Sequence, residues 1–223
     1  MFKKVLVAED YESSTISVQK ALEDLGIENA HYVYYCDDAL ERIKMGLHEK
    51  KPYDLLITDL SFDDDYRQKD HILKSGTELT EAVKNVQPEI KIIVFSVEKK
   101  PNIIDNLFEK YKINGFVSKG REDTKQLKRA IKAVYNNEKH ISLDLKKSIR
   151  EKNAYEFTSF DITLISLLSN GMLQKKIPEY LKENSIKPCS LSSVEKCINN
   201  LKESLNVRNN EQLVAIFKDL GFI

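Results

Sequence analysis

Short apolar runs alternate with longer amphipathic segments five times across the first 135 residues, and this alternation restricts the fold more than any other feature of the chain. "KKVLVAED" opens the series as a strand. Residues 14–25 read as a helix, with Ile16, Leu22 and Leu25 near helical spacing and Gly26 as the stop signal. "HYVYYC" is a second strand, and residues 37–47 a second helix capped by Asp37 or Asp38. "YDLLITDL" is the third strand. After a long loop, residues 76–86 are helical and Pro88 blocks their continuation. "IKIIVFS", a helix over 101–111 with Pro101 in its first turn, the short strand "NGFVSK" and a helix over 123–135 complete the series. Five strand–helix units predict a parallel sheet with helices on both faces. The strands are almost wholly apolar, as strands buried on both faces must be.

The remainder has a different rhythm. Residues 136–156 are polar and charged and read as a partly helical linker. From Phe157 to the end the pattern is all helical, broken at Gly171, at "NSIKPCS" and near "NVRNN". The expected division is therefore 1–135, 136–156 and 157–223.

Lysine plus arginine equals aspartate plus glutamate, 35 of each, so no global charge draws the chain to nucleic acid or to a membrane. No apolar run approaches the roughly 20 residues of a membrane span. The opening "MFKKVLVAED" is too short in its apolar part for a signal peptide, so the expectation is a cytoplasmic protein with no membrane partner. Cys36, Cys189 and Cys197 are odd in number and lack zinc-ribbon spacing, and the four histidines stand singly. A transition-metal site is not expected.

In an open parallel sheet, ligands bind beyond the carboxyl ends of the strands. Four such ends carry polar groups here: Glu9 and Asp10, Asp59, Ser96 and Lys119. Each alone is ordinary, as a solvated strand exit, a turn former or a surface lysine. Together they converge on one mouth. Crowded carboxylates repel, and a hard dication relieves the repulsion; oxygen donors with room for water suit Mg²⁺. The Asp59 carboxylate then acts as a nucleophile that forms an aspartyl phosphate, with Lys119 neutralising one phosphoryl oxygen and the Ser96 hydroxyl donating to another.

"VLVAED", "DLLITDL", "IIVFS" and "GFVSKG" resemble the receiver domain of two-component response regulators over about residues 3–135. The resemblance implies a flavodoxin-like (βα)5 α/β fold with a five-stranded parallel sheet. It implies that a histidine kinase phosphorylates Asp59. Glu9 and Asp10 match the Mg²⁺-binding acid pair, and Ser61 the residue that lends the metal a backbone carbonyl. Ser96 matches the switch hydroxyl, Phe116 the switch aromatic and Lys119 the family's lysine. A dianion on Asp59 then draws Ser96 inward and opens space into which Phe116 turns. Two features depart from the pattern. "DLSFDDDYRQKDHILKSG" replaces the usual Met-Pro continuation with a long loop containing Asp63, Asp64 and Asp65, read as a solvated lid. Val97 stands where a small residue is common, and is read as a shield that slows hydrolysis of the acyl phosphate.

Residues 157–223 resemble the all-α helix-turn-helix domain of LuxR/NarL/FixJ-type regulators, through Phe157, Thr158, Asp161, Leu164, Ile165, Leu167, Leu168 and Gly171, then Ser193, Val194 and "LNV" at 205–207. Such a domain lays its recognition helix in the major groove. Val194, Cys197, Ile198, Leu201 and Leu205 form one apolar stripe of that helix. Ser192, Ser193, Glu195, Lys196, Asn199 and Lys202, with Lys175, Lys176 and Arg208, are the expected DNA contacts. Residues 155–223 hold eight basic and eight acidic residues, a neutral balance unlike that of most DNA binders. Phe160 and Ile162 stand at positions usually charged in the family and are expected to be exposed as a partner surface. The reading is a phosphorylation-controlled transcription regulator, not an enzyme, that dimerises when phosphorylated. The alternative is a working receiver whose degenerate helical domain binds protein rather than DNA.

Overall fold

The computed structural model describes residues 1–62, 72–142, 145 and 157–223. Asp63, Asp64, Asp65 and most of the 136–156 connection lie outside the described residues. The chain divides into two compact units. One comprises Met1–Lys99 and Ile103–Ser148, the other Ile149–Ile223 with Lys100–Asn102.

The first unit is a parallel sheet of order β2-β1-β3-β4-β5-β6. Its central strands are β1 (Val5–Ala8), β3 (Leu55–Thr58), β4 (Lys91–Ser96) and β5 (Gly115–Ser118), nearly all buried. Alternate strand residues face opposite sides of a sheet. One side sends Val5, Val7, Leu55, Ile57, Ile93 and Phe95 into a core with helix α1 (Glu12–Glu23) and helix α5 (Asp123–Tyr135). The alternate residues Leu6, Leu56, Ile92 and Val94 are equally buried on the other side. Helices α2 (Cys36–His48), α3 (Gly76–Val86) and α4 (Pro101–Glu109) complete the α/β alternation and bury Ile43, Leu79, Val83, Ile104 and Leu107. Each fully buried aliphatic or aromatic side chain stabilises the fold by roughly 1.5–3 kcal/mol, so two-sided burial is what makes these short strands hold.

Two local readings change. The second strand, β2 (Ala30–Val33), is shorter than "HYVYYC", because Cys36 is buried as the first residue of α2. Asp37 does not cap that helix; Tyr35 occupies the N-cap without a side-chain bond, and the Asp37 carboxylate instead accepts from the amides of Ile72 (2.7 Å) and Leu73 (3.0 Å). The second change adds a strand. β6 (His140–Ile141) lies in the stretch read as linker and pairs with β5, placing His140 beside Gly115 and Ile141 beside Phe116.

The second unit is all helical: α6 (Ser159–Ser169), a 3-10 turn (Gln174–Lys176), α7 (Ile177–Glu183), α8 (Leu191–Ser204) and α9 (Asn210–Leu220). Thr158 and Asp161 form a capping box at the start of α6, satisfying amides that helix geometry leaves unpaired. Leu164, Ile165, Ile177, Leu181, Val194, Ile198, Leu213 and Phe217 make the core. Phe157, Phe217 and Phe222 close one end of it, with ring centroids 4.7–5.6 Å apart. Phe160 and Ile162 correct an expectation: both are half-buried and pack against this core. α6 is apolar around most of its circumference, so residues beside its deepest stripe are covered as well. Among the described residues, no helix is long and apolar enough to cross a membrane.

Candidate functional site

The sheet order makes β1, β3, β4 and β5 successive neighbours, so their carboxyl ends share one rim. Register aligns Ala8 with Thr58, Thr58 with Val94, and Ser96 with Ser118. Glu9, Asp59 and Lys119 are therefore the first residues past β1, β3 and β5, with β4 between the last two. Their main chains are tied to the ladder: Asp59 N–H donates to the Ala8 carbonyl at 3.1 Å, and Lys119 N–H to the Ser96 carbonyl at 2.9 Å.

The side chains meet. Lys119 Nζ lies 2.6 Å from Asp59 Oδ2 and 2.8 Å from Glu9 Oε2. Asp59 Oδ1 accepts from the amides of Leu60 and, at 3.4 Å, Ser61. One carboxylate oxygen of Asp59 thus faces the ammonium and the other the following backbone. Glu9, Asp10 and Asp59 each offer an oxygen within 4.8 Å of the others. Glu9 and Asp59 are only 3% and 4% exposed. Burial pushes the Glu9 carboxyl up to about 7, with the charge of Asp59 adding to the rise, against the hydrogen bond and charge of Lys119. The ammonium thus faces two buried carboxylates, with the half-buried Asp10 beside them. A donor set made only of carboxylate oxygens in a small space fits a hard divalent cation.

Ser96 is fully buried at the end of β4, and its hydroxyl is met by the Glu98 amide at a long 3.5 Å. Phe116 is also fully buried. Val97 is 66% exposed.

Gly76 carries a signal that sequence reasoning missed. A Cβ at this position would lie 1.7 Å from the Asp59 carbonyl oxygen and 3.0 Å from Leu60 Cα. Its N–H donates to the Leu60 carbonyl at 2.9 Å, and Ser61 bridges Ser75 as an antiparallel pair. Ser75 then caps α3 by accepting from the Glu78 amide. The long excursion after Asp59 is thereby closed at its base, and the start of α3 presses on the backbone of the acid itself. A glycine opening a helix with "SGTEL" was visible in the chain; its contact with Asp59 was not.

In the helical unit, Ser190 caps α8, its hydroxyl 3.1 Å from Ser192 Oγ and 2.7 Å from Ser193 Oγ. Val194, Ile198 and Leu201 point inward, and Cys197 and Leu205 pack beside them. Ser192, Glu195, Lys196 and Asn199 are exposed; Ser193 and Lys202 are half-buried. Lys175 and Lys176 are exposed in the 3-10 turn, and Arg208 is exposed just before α9. Two of the expected contacts, Ser192 and Ser193, thus lie in the first turn of α8 beside its cap. Cys197 Sγ donates to Asp161 Oδ1 at 2.8 Å, linking the capping box of α6 to α8. Burial, with that bond and the charge of Asp161, pushes the thiol up to about 12.

Comparison with known proteins gives the same two parts. Residues 5–132 match the family model of the response regulator receiver domain. No curated protein matches the sequence. Among solved structures, RcsB dimers bound to two parallel DNAs are similar at 22% identity and a TM-score of 0.66, with 98% of each chain covered. RcsB of Salmonella enterica serovar Typhimurium bound to the rprA promoter with the phosphomimetic BeF3- is similar at 21% identity and 0.63, covering 99% of this chain and 98% of that one. A LuxR-family response regulator of an Aurantimonas species reaches 0.57 at 17% identity, covering 70% of this chain and all of that one. At these identities the structures speak for the fold, a receiver-type sheet followed by a helix-turn-helix arrangement.

Proposed function

Because the chain belongs to the response regulator receiver domain family, we propose that it is a phosphorylation-controlled transcription regulator, with a receiver at 1–135, a connection at 136–156 and a DNA-binding output domain at 157–223. The observation that carries this reading is the Lys119 ammonium, 2.6 Å from Asp59 and 2.8 Å from Glu9 within a buried group of carboxylates.

In the reaction, a lone pair of the Asp59 carboxylate forms a bond to phosphorus as the bond from phosphorus to a kinase histidine nitrogen breaks. The electron pair stays on that nitrogen, and because the other ring nitrogen of the phosphohistidine carries a proton, the histidine leaves as neutral imidazole. Lys119 is placed to neutralise a phosphoryl oxygen, and the Ser96 hydroxyl to donate to another. Glu9, Asp10 and Asp59, with the Ser61 backbone carbonyl, are the residues that would hold Mg²⁺. Bound there, the ion supplies charge neutralisation for the incoming phosphoryl group. Phe116 is the aromatic placed to report the change at β5.

The output reading rests on fold. The RcsB structures it resembles are DNA-bound, one as dimers and one with a phosphomimetic. By analogy, the exposed Lys175, Lys176, Lys196 and Arg208, with Ser192, Ser193, Glu195, Asn199 and Lys202 on or beside α8, face DNA, and phosphorylation drives dimerisation, which raises affinity by linking two weak sites. A specific observation favours the second reading, a protein-binding output domain: Glu195 is exposed on α8 of a neutral domain, where a carboxylate repels phosphate.

Two measurements test the proposal. Full-length protein treated with acetyl phosphate and Mg²⁺ gains one phosphoryl mass, mapped to Asp59. Selection from a random-sequence duplex pool with beryllofluoride-treated protein then returns a consensus site whose retention falls steeply with salt. No enrichment from a protein that does label on Asp59 favours the protein-binding alternative; labelling elsewhere ends the receiver mechanism.

A further inference from the structure

We propose that Ser142 is a positioning residue for Lys119, acting through the backbone of β5. The proposal rests on the role given to Lys119 above. On its inner side the end of β5 is fixed by Lys119 N–H donating to the Ser96 carbonyl at 2.9 Å. On its outer side the adjoining amide, Ser118 N–H, donates to Ser142 Oγ at 3.1 Å. The Ser142 N–H in turn donates to the Phe116 carbonyl at 3.1 Å. One residue therefore holds two groups on the edge of β5, the carbonyl of Phe116 and the amide immediately before Lys119.

The side chain is needed because the strand stops. β6 ends at Ile141, and the Ser142 carbonyl accepts instead from Leu145 N–H at 3.1 Å. A continuing parallel strand would offer a backbone carbonyl to Ser118; here a hydroxyl takes that place. Ser142 is 1% exposed and Ser118 9%, so solvent is poorly placed to substitute for it. A buried amide that loses its acceptor shifts toward a new one. The residue it would carry along is Lys119, whose ammonium sits at hydrogen-bond distance from two carboxylates. Ser142 lies outside the matched receiver residues 5–132, in the connection to the helical unit. The connection thus contributes a part to the site rather than merely leaving it.

The test is a double-mutant cycle on the full-length protein, with acetyl phosphate as donor and saturating Mg²⁺. In each turnover the Asp59 oxygen forms its bond to phosphorus as the bond from phosphorus to the acetate oxygen breaks, and acetate leaves with the pair. Labelling is followed by intact mass for the wild type, Ser142→Ala, Lys119→Ala and the double variant. Misplacement of a charged group by a fraction of an ångström slows such steps substantially. Ser142→Ala is expected to label about tenfold more slowly in maximal rate, with its half-saturating donor concentration unchanged. In the Lys119→Ala background the same change is expected to add nothing. A purely structural role would slow both backgrounds by the same factor, and that result overturns the proposal. So does a wild-type rate for Ser142→Ala when Lys119→Ala is slow. A wild-type rate for Lys119→Ala removes the role of Lys119 itself, and this proposal with it. If Ser142→Ala does not fold, Ser142→Cys, whose thiol is a weak acceptor of similar size, replaces it in the cycle.

Discussion

The pocket at the sheet rim and the outer face of α8 were both read as functional, yet they are built in opposite ways. At the rim, Glu9, Asp59 and Lys119 come from three strands and meet within hydrogen-bond distance. Burial raises the energetic weight of every charge there, because the medium screens little. On α8, Glu195, Lys196 and Asn199 come from one helix and are exposed. Their relation to one another is fixed by helix geometry alone, and water screens them. A convergent site specifies its chemistry by itself, whereas an exposed helix face acquires meaning only against a partner. On this reading a single substitution tests the first, whereas the second is tested only across several residues.

The sharpest attempt to break this contrast is Asp59→Asn. Removing the nucleophile should abolish phosphoryl uptake from acetyl phosphate, seen as the loss of the mass gain; a variant that still labels at the wild-type rate means the convergence serves something else. Next in size is Gly76→Ala. The added Cβ has no room beside the Asp59 carbonyl, so the backbone of the site must move. We expect a loss of at least about 3 kcal/mol in chemical denaturation and slower labelling together. Phe217→Ala, in the core of the helical unit, should cost about 3–5 kcal/mol in the unfolding transition of that unit. Labelling of Asp59 should remain at the wild-type rate, which checks that the pocket is complete within its own unit. Lys196→Ala should weaken retention of a selected duplex only several-fold and reduce the salt slope by about 1, read by fluorescence anisotropy across ionic strengths. The smallest effect is expected at Cys197. With its thiol pushed up to about 12, roughly one molecule in ten thousand is thiolate at pH 8. Iodoacetamide should therefore modify it far more slowly than glutathione under the same conditions, by peptide mapping.

Much of the rim was legible because its signals are local. An apolar run followed at once by Glu9, Asp59, Ser96 or Lys119 states both the strand and what stands at its end, and parallel topology supplies the rest. The apolar stripe of α8 was legible for a similar reason, through helical periodicity. What escaped notice depends on contacts distant in sequence. β6 is two residues long inside a polar stretch, and nothing in "EKHISL" announces a strand; the open edge of β5 recruits it. Asp37 looked like a helix cap because capping is the usual fate of an aspartate there, but two amides from the far end of a long loop compete for the same oxygens and win. Phe160 and Ile162 looked exposed because their family positions are polar, and only the packed unit shows them covered.

The bridge between Ser61 and Ser75 has a consequence for how this region can vary. Once the two ends of an excursion are joined, lengthening it costs little, roughly 0.6 kcal/mol for each doubling. The stretch between them can therefore vary in length at little cost to the sheet. It is a place where insertions, deletions and changes of charge can accumulate by drift or selection while the carboxylate two residues upstream keeps its surroundings.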